Sequence, residues 1–248
     1  MKVSVVLSNW KRPENIPAVH KAWRMQSHAP EKIILVDNAT VAYEGVDDFD
    51  QVIRIQENVG PPARYLGAVF ETNELVVFAD DDFLPGVNGL ESALSDAEQL
   101  NWKFATLGYR GRKAVRRKHG RWHLLRRNTP MSCDKPTACD VTVRIHVVQT
   151  SAIQFAIGWW HRMRESGADE RELRHDDIML CLGIQARTSF ASFCCRVHED
   201  PEHRLIKRNL SAPWAVSGMA GHQESRDELV RRSTEAGWLP MKLTESAT

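Results

Sequence analysis

An α/β protein with a mostly parallel, Rossmann-like sheet flanked by helices is what this sequence predicts, and three observations carry that expectation. Four short β-branched runs, "VSVVL" (3–7), "KIILVD" (32–37), "VIRIQ" (52–56) and "LVVFAD" (75–80), each have the length and composition of a strand. Helix-like segments separate them, and strands alternating with helices give a parallel sheet with right-handed crossovers. Each run gives way to polar residues: 8–12, 37–40, 58–60 and 80–82. In such sheets ligands sit at the carboxyl ends of the strands, so these four loops should converge on one crevice.

Taken in order, the first helix is expected around 16–26. A second is expected over "PPARYLGAVFETN" (61–73), where Tyr65, Leu66, Val69 and Phe70 share one helical face. After residue 100 the pattern is less regular. "KFATLG" (103–108) and "CDVTVRIHVVQT" (139–150) read as strands flanking an excursion from the sheet. "SAIQFAIGWWHRM" (151–163) and "DDIMLCLGIQA" (176–186) read as helices, and "SFASFCCRV" (189–197) as a last core strand. Beyond 217 the chain is polar, with one amphipathic helix near 223–236. The expected organisation is one catalytic domain over 1–216, with a nucleotide-binding half (1–100) and an acceptor half (101–216), and a C-terminal helical tail over 217–248.

With 248 residues, 42% of them hydrophobic, the chain can bury a sizeable core. No stretch approaches the roughly 18 apolar residues of a membrane span, and "MKVSVVLSNW" enters a strand pattern instead of a charged leader, so a cytoplasmic location is expected. The five cysteines (Cys133, Cys139, Cys181, Cys194 and Cys195) are odd in number and form no C-x-x-C pair, which argues against a disulfide framework or a zinc knuckle. The formal net charge of +1 hides an imbalance. Residues 110–127 carry nine cations (Arg110, Arg112, Lys113, Arg116, Arg117, Lys118, Arg121, Arg126 and Arg127), two histidines and no acid, so the rest of the chain sums to −8.

Asp80, Asp81 and Asp82 stand in a row directly after an apolar strand. Three adjacent carboxylates repel, and at a strand end with low-dielectric walls a cation must offset the repulsion. A divalent metal is the economical offset. Few carboxylates, completed by water or phosphate oxygens, is how Mg²⁺ or Mn²⁺ is held when the true ligand is a diphosphate. In an extended chain Asp80 and Asp82 would point the same way and Asp81 to the other face.

The succession "VSVVLSNWKRP", "KIILVDNAT", "ENVGPPARYLGAVFETNELVVFADDDFLP" and "HDDIMLCLG" resembles the glycosyltransferases of the nucleotide-diphospho-sugar (GT-A) fold, above all the family 2 group. A more distant similarity is to exostosin-like transferases, which also carry three aspartates at this place. The likeness is close over residues 1–90 and loose over 175–200. It implies a donor that is a nucleotide sugar, UDP-linked first, with Mn²⁺ or Mg²⁺ as cofactor. It further implies that the 8–12 loop (Ser8, Asn9, Arg12) and Asp37 contact the nucleoside, with Asn58 and Gly60 at the same crevice. Arg64 would lie near the diphosphate or order the aspartates, Asp80 would face the ribose or the metal with Asp81 beside it, and Asp82 would be the principal metal ligand. His198 in "CCRVHEDPEH" would complete the metal shell, with His203 and His222 as alternatives. The chain departs from the commonest family pattern at "VDNAT".

Asp176 and Asp177 open an apolar helix, where one carboxylate would suffice as a cap. In the families resembled, an acidic pair here supplies catalysis. Asp177 is therefore expected as general base and Asp176 as its orienting or acceptor-binding neighbour. Family 2 leans to inversion and the exostosin-like enzymes to retention, and these residues leave both open.

The basic stretch falls where this fold shapes its acceptor site. Nine cations with Trp122 among them suit a polyanion, so DNA with a modified-base hydroxyl as nucleophile is the first acceptor expected. An anionic glycan, lipid phosphate or protein is the alternative. From another class, a non-catalytic nucleic-acid-binding protein would explain 110–127 but neither acidic site. A phosphotransferase of the HAD type would place D-x-D after its first strand, not its fourth.

Overall fold

The structure is a computed structural model, described here for residues 1–10, 12–39, 42–117, 121–126, 135–195, 204–205 and 220–240. Its framework is a nine-stranded sheet of order β3-β2-β1-β4-β9-β6-β10-β8, with β7 paired to β6 off this path. The parallel half consists of β1 (Val3–Asn9), β2 (Lys32–Asp37), β3 (Gln51–Arg54) and β4 (Leu75–Ala79). Beside β4, β9 (Val141–Gln149) runs antiparallel and is followed by β6 (Leu107–Arg116). The outer strands are β7 (Trp122–Arg126), β8 (Thr137–Cys139) and β10 (Ser192–Cys194), and β5 (Phe83–Leu84) pairs separately with β11 (Arg204–Leu205).

The central strands are apolar without alternation because both sheet faces are covered. Val5, Leu7, Ile33, Leu35 and Val77 pack under α1 (Ile16–Arg24) and α2 (Gly89–Gln99), around Trp23 and Leu90. Val6, Ile34, Val36 and Phe78 face the other way, onto α3 (Ile153–Glu165) and α5 (Asp176–Thr188), around Ala156, Leu180 and Ile184. A third cluster joins Trp159, Met163 and Ile178 to Leu229, Val230 and Trp238. Thus α6 (His222–Glu235), the helix expected near 223–236, is packed into the body of the protein. The short α4 (Glu170–Leu173) starts with an Asp169/Glu172 capping box. Among the described residues no helix is long and apolar enough to cross a membrane.

Four sequence expectations are corrected. Over 61–73 there is no α-helix but a 3-10 segment, Pro61–Gly67. Two prolines open it, and Gly67 lies so close to the sheet that a Cβ there would come within 2.7 Å of Val6 and 2.9 Å of Val36. Tyr65 alone of the supposed apolar face is buried, while Phe70 is 87% exposed. The basic stretch is no excursion: β6 and β7 form a hairpin within the main sheet, in register Arg112↔Arg126 through Arg116↔Trp122. Ala114 and Leu124 are buried on it, and Trp122 packs against the third cluster instead of standing free to stack. The strand expected at 103–108 starts only at Leu107, and the last core strand is just three residues long. Cys139, Cys181, Cys194 and Cys195 are buried thiols, and Cys133 lies outside the described residues.

Candidate active site

The carboxyl ends of β1 and β4 and the start of α5 open into one cleft of about 330 Å³. Asp80, Asp81, Asp82, Asp176 and Asp177 all line it, together with Ser8, Arg12, Gly60 and Arg64. Two acidic groups nearly a hundred residues apart in sequence thus share one wall. They do so because β1 lies between β2 and β4 in the sheet, and Tyr65 ties the 3-10 segment to α5 by donating its hydroxyl to the Asp176 carbonyl at 2.8 Å.

Each carboxylate has an arginine. Arg12 Nη1 lies 2.7 Å from Asp81 Oδ1 and 3.1 Å from Asp82 Oδ2. Asp81 and Asp82 therefore turn together toward Arg12, against the expected alternation, because β4 ends at Ala79 and the chain turns. Arg64, only 9% exposed, bridges the two acidic groups: Nη1 is 3.2 Å from Asp80 Oδ1 and Nε 2.8 Å from Asp176 Oδ2. Arg226 of α6 pairs Nη2 with Asp177 Oδ2 at 3.1 Å. Such buried guanidinium–carboxylate pairs are favourable only while both members are present.

The arginines do not offset the acidity evenly. Burial pushes the Asp80 carboxyl up to about 7 despite Arg64, with Asp82, Asp176 and Asp81 adding to the rise. Burial likewise lifts Asp81 to about 6 against the pull of Arg12, and lifts Asp176 against Arg64. Asp177 goes the other way: burial would raise it, but the facing cations, Arg226 foremost, hold it below the ordinary aspartate value. Neighbouring carboxyls pushed apart in this way are how one site separates an ionised base from its partner. His175 occupies the N-cap position without a side-chain cap bond, while the acids meet N–H groups of the first turn: Asp177 Oδ1 accepts from the adjacent Ile178 N–H at 2.9 Å, and the backbone N–H groups of Asp177 and Asp176 favour the Asp176 carboxylate.

Not every expected residue reaches the cleft. Asp37 is buried, its Oδ1 accepting from Asn9 Nδ2 at 2.8 Å and its Oδ2 from the Tyr43 N–H at 3.0 Å. Asn9 and Asp37 therefore tie the ends of β1 and β2 together behind the cleft and do not line it themselves. Asn58 orders the following loop: its Oδ1 accepts from Asn38 Nδ2 at 2.9 Å and from the Gly60 N–H at 2.8 Å. Gly60 has φ +81°, which disfavours a side chain. Ser8 presents a buried hydroxyl without a protein partner to the cleft. His198 and His203 lie outside the described residues, whereas His222 lines the cleft next to His175, ring centroids 4.9 Å apart.

Of the basic stretch, Arg112 reaches the cleft, Lys113 is half-buried, and Arg110, Arg116, Arg117 and Arg121 are exposed. Arg126 lies in β7, and Lys118 and Arg127 fall outside the described residues. Sequence reasoning missed His146, His175 and Arg226. His175 directly precedes the acidic pair and was within reach of such reasoning, but His146 sits in a strand run and Arg226 in a polar helix, with no local signal.

A second cleft of about 540 Å³ adjoins the first through Trp10, Gly60, Pro61 and Arg174. Asn58, one of the expected site residues, lines it together with Val59, Pro62, Trp160, Arg164, Glu170 and Leu173, with the Arg164 guanidinium 5.6 Å above the Trp160 ring.

Among the described residues no three acidic, histidine or cysteine side chains are arranged to hold a metal ion alone. The donor set nevertheless fits Mg²⁺ or Mn²⁺ sharing its shell with a diphosphate. Asp80 and Asp82 offer hard carboxylate oxygens to the same cleft.

No protein-family model and no curated protein sequence matches the chain. Solved structures do. S. aureus TarS superposes with a TM-score of 0.51 at 16% identity, over 77% of this chain and 35% of TarS. TarS 1–349 superposes at 0.50 and 15% in complex with UDP, and at 0.51 and 16% in complex with UDP-GlcNAc. Each again covers 77% of this chain, with 57% and 56% of the TarS chain matched. This chain therefore spans from about a third to somewhat over half the length of the TarS chains it matches. At that identity the likeness establishes architecture: the α/β sheet that holds the two acidic groups has the GT-A type of fold seen in TarS.

Proposed function

We propose that this protein is a metal-dependent glycosyltransferase that moves a sugar from a nucleotide-diphosphate donor, UDP-linked first, to a hydroxyl acceptor. The observation that carries the reading is the meeting of Asp80, Asp81 and Asp82 with Asp176 and Asp177 in one cleft, joined by Arg64, in a fold shared with a protein solved with UDP-GlcNAc. Asp80 and Asp82 would hold Mn²⁺ or Mg²⁺, which when bound neutralises charge on the departing diphosphate. Arg12 and Arg64 order the aspartates and add positive charge on the same side. Asp177 takes the acceptor hydroxyl proton as that oxygen bonds to the anomeric carbon, while the nucleoside diphosphate leaves with the bonding electrons. Asp176 orients the site through Arg64. The second cleft, on the Trp10 and Gly60 side, accommodates the nucleoside, with Trp160 as a wall.

The acceptor in this reading is polyanionic, DNA first, drawn by the exposed Arg110, Arg116, Arg117 and Arg121 of the β6–β7 hairpin toward Arg112 in the cleft. The deciding experiment is UDP-sugar hydrolysis and thermal shift with and without Mn²⁺, on wild type, Asp82→Asn and Asp177→Asn. Mn²⁺-dependent stabilisation by UDP in the wild type, lost in D82N but kept in D177N with turnover abolished, is the expected pattern. Unchanged Mn²⁺ dependence in D82N overturns the metal assignment, and equal loss of binding and turnover in D177N overturns the base.

A further inference from the structure

The base in this reading is not held by its own helix alone. Arg226 comes from α6, forty-nine residues further along the chain, and the residue is only 4% exposed, its Nη2 meeting Asp177 at 3.1 Å. The other carboxylate oxygen accepts from the Ile178 N–H, so both oxygens have a fixed partner. Helix α6 is itself pinned around this contact. Asp227 meets His123 Nδ1 at 3.0 Å and accepts from the Leu124 N–H at 3.2 Å, Ser225 Oγ and His175 Nε2 share a hydrogen bond of 2.8 Å, and Arg232 Nε lies 3.0 Å from Glu172. Leu229 and Val230 are fully buried beneath it.

We infer that α6 is part of the catalytic centre and that Arg226 is the positioning residue that fixes the orientation and the charge of Asp177. This rests on the glycosyl-transfer reading of Asp177. The groups that face Asp177 are Arg226 and His222 from α6, His175 ahead of α5, His146 from β9, Arg112 from β6, and Asp176, Cys181 and Tyr65. Burial keeps the three histidines neutral at physiological pH, His146 at about 3, His175 at about 4 and His222 below its ordinary value. Of the permanently charged groups facing the carboxylate, Arg226 and Arg112, Arg226 lies 3.1 Å from Asp177 Oδ2. Without it, burial and the neighbouring Asp176 would act on Asp177 with far less opposition, and the carboxylate would be free to turn.

The test compares wild type, Arg226→Gln and Arg226→Lys by the pH dependence of UDP-glucose hydrolysis with Mn²⁺, by UDP affinity, and by ¹³C titration of the Asp177 carboxyl. In R226Q the acidic limb of kcat/KM should move up by roughly 1–3 pH units, the range an opposite charge in contact imposes. Turnover on the acidic side should fall about tenfold for each unit moved. UDP affinity should stay within about twofold, and R226K should restore most of the limb. A uniform rate loss with an unmoved limb, or an equal loss of UDP affinity, overturns the inference and leaves Arg226 a packing residue. The carboxyl titration needs no turnover, so it separates this inference from the transfer reading: an unmoved Asp177 titration overturns the role of Arg226 even if no sugar nucleotide is hydrolysed. Thermal unfolding of each variant checks folding, and if R226Q does not fold, Arg226→Met takes its place in the same measurements: a limb and titration displaced toward higher pH uphold the role, and unmoved values overturn it.

Discussion

Arg64→Met is the sharpest probe of how this cleft is held together. The side chain is 9% exposed and spans Asp80 at 3.2 Å and Asp176 at 2.8 Å, so methionine fills most of the volume and removes only the charge. Breaking a buried ion pair by deleting one partner costs about 3–5 kcal/mol, because the stranded charge stays buried. Two carboxylates are stranded here, but both already lie above the ordinary aspartate value and escape by taking up protons, so the total should stay near that range and not double it. At about 2–4 °C per kcal/mol for a chain of this size, Tm at pH 7.5 should fall by roughly 6–20 °C. The deficit should shrink as pH drops toward 5, where Asp80, held at about 7, is protonated and Asp176, also raised by burial, takes up its proton more readily than an ordinary aspartate. Adding Asp176→Asn to Arg64→Met should recover part of the loss, since the double variant strands one charge fewer. Differential scanning fluorimetry across pH 5–8 measures all of this. A Tm loss under about 3 °C, or the same loss at every pH, refutes the bridging role of Arg64.

Three further outcomes are expected. His146 and His175, buried and held at about 3 and about 4, resist protonation in the folded state while the unfolded chain takes up a proton at each near 6.5. Their contribution to stability is thus present above about pH 6.5 and is lost as pH falls toward 4, at up to about 1.4 kcal/mol per histidine for each pH unit. His175→Asn should flatten chemical-denaturation stability across that window, and an unaltered slope would contradict it. Trp160→Ala should weaken UDP about tenfold or more by calorimetry while leaving inorganic pyrophosphate with Mn²⁺ unchanged, as base–aromatic stacking contributes roughly 1–3 kcal/mol. Equal effects on both ligands would remove the nucleoside from the second cleft. Replacing the exposed Arg116, Arg117 and Arg121 with alanine should reduce the salt slope of DNA binding by roughly 0.9 per lost duplex contact, or 0.7 for a single strand, without altering UDP affinity. A wild type with no DNA affinity at low salt sends the acceptor assignment to an anionic glycan, a lipid phosphate or a protein.

What the sequence by itself determined is local. The β-branched runs that become β1, β2, β3 and β4, the acidic triplet after β4 and the acidic pair opening α5 were all legible, because each is written in a few consecutive residues whose side-chain periodicity or charge suffices. The parallel half of the sheet followed from their alternation with helical segments. The partners of those acids were not legible. The triplet was expected to need a metal, yet the structure places Arg12 and Arg64 on it and Arg226 on Asp177, cations 69, 16 and 49 residues from an acid they meet. Only the insertion of β1 between β2 and β4 and the docking of α6 onto β7 make those contacts short. The fate of Asp37 was decided in the same way. Its place after a strand pointed to a ligand, and nothing in the sequence signalled that the register Asn9↔Asp37 sets an amide donor beside it or that the Tyr43 N–H meets the other oxygen. A short sequence states where a carboxylate stands along the chain. Which cation or donor it faces is set by strand order and helix packing, because charges and hydrogen bonds act through space over a few ångströms whatever the separation in sequence.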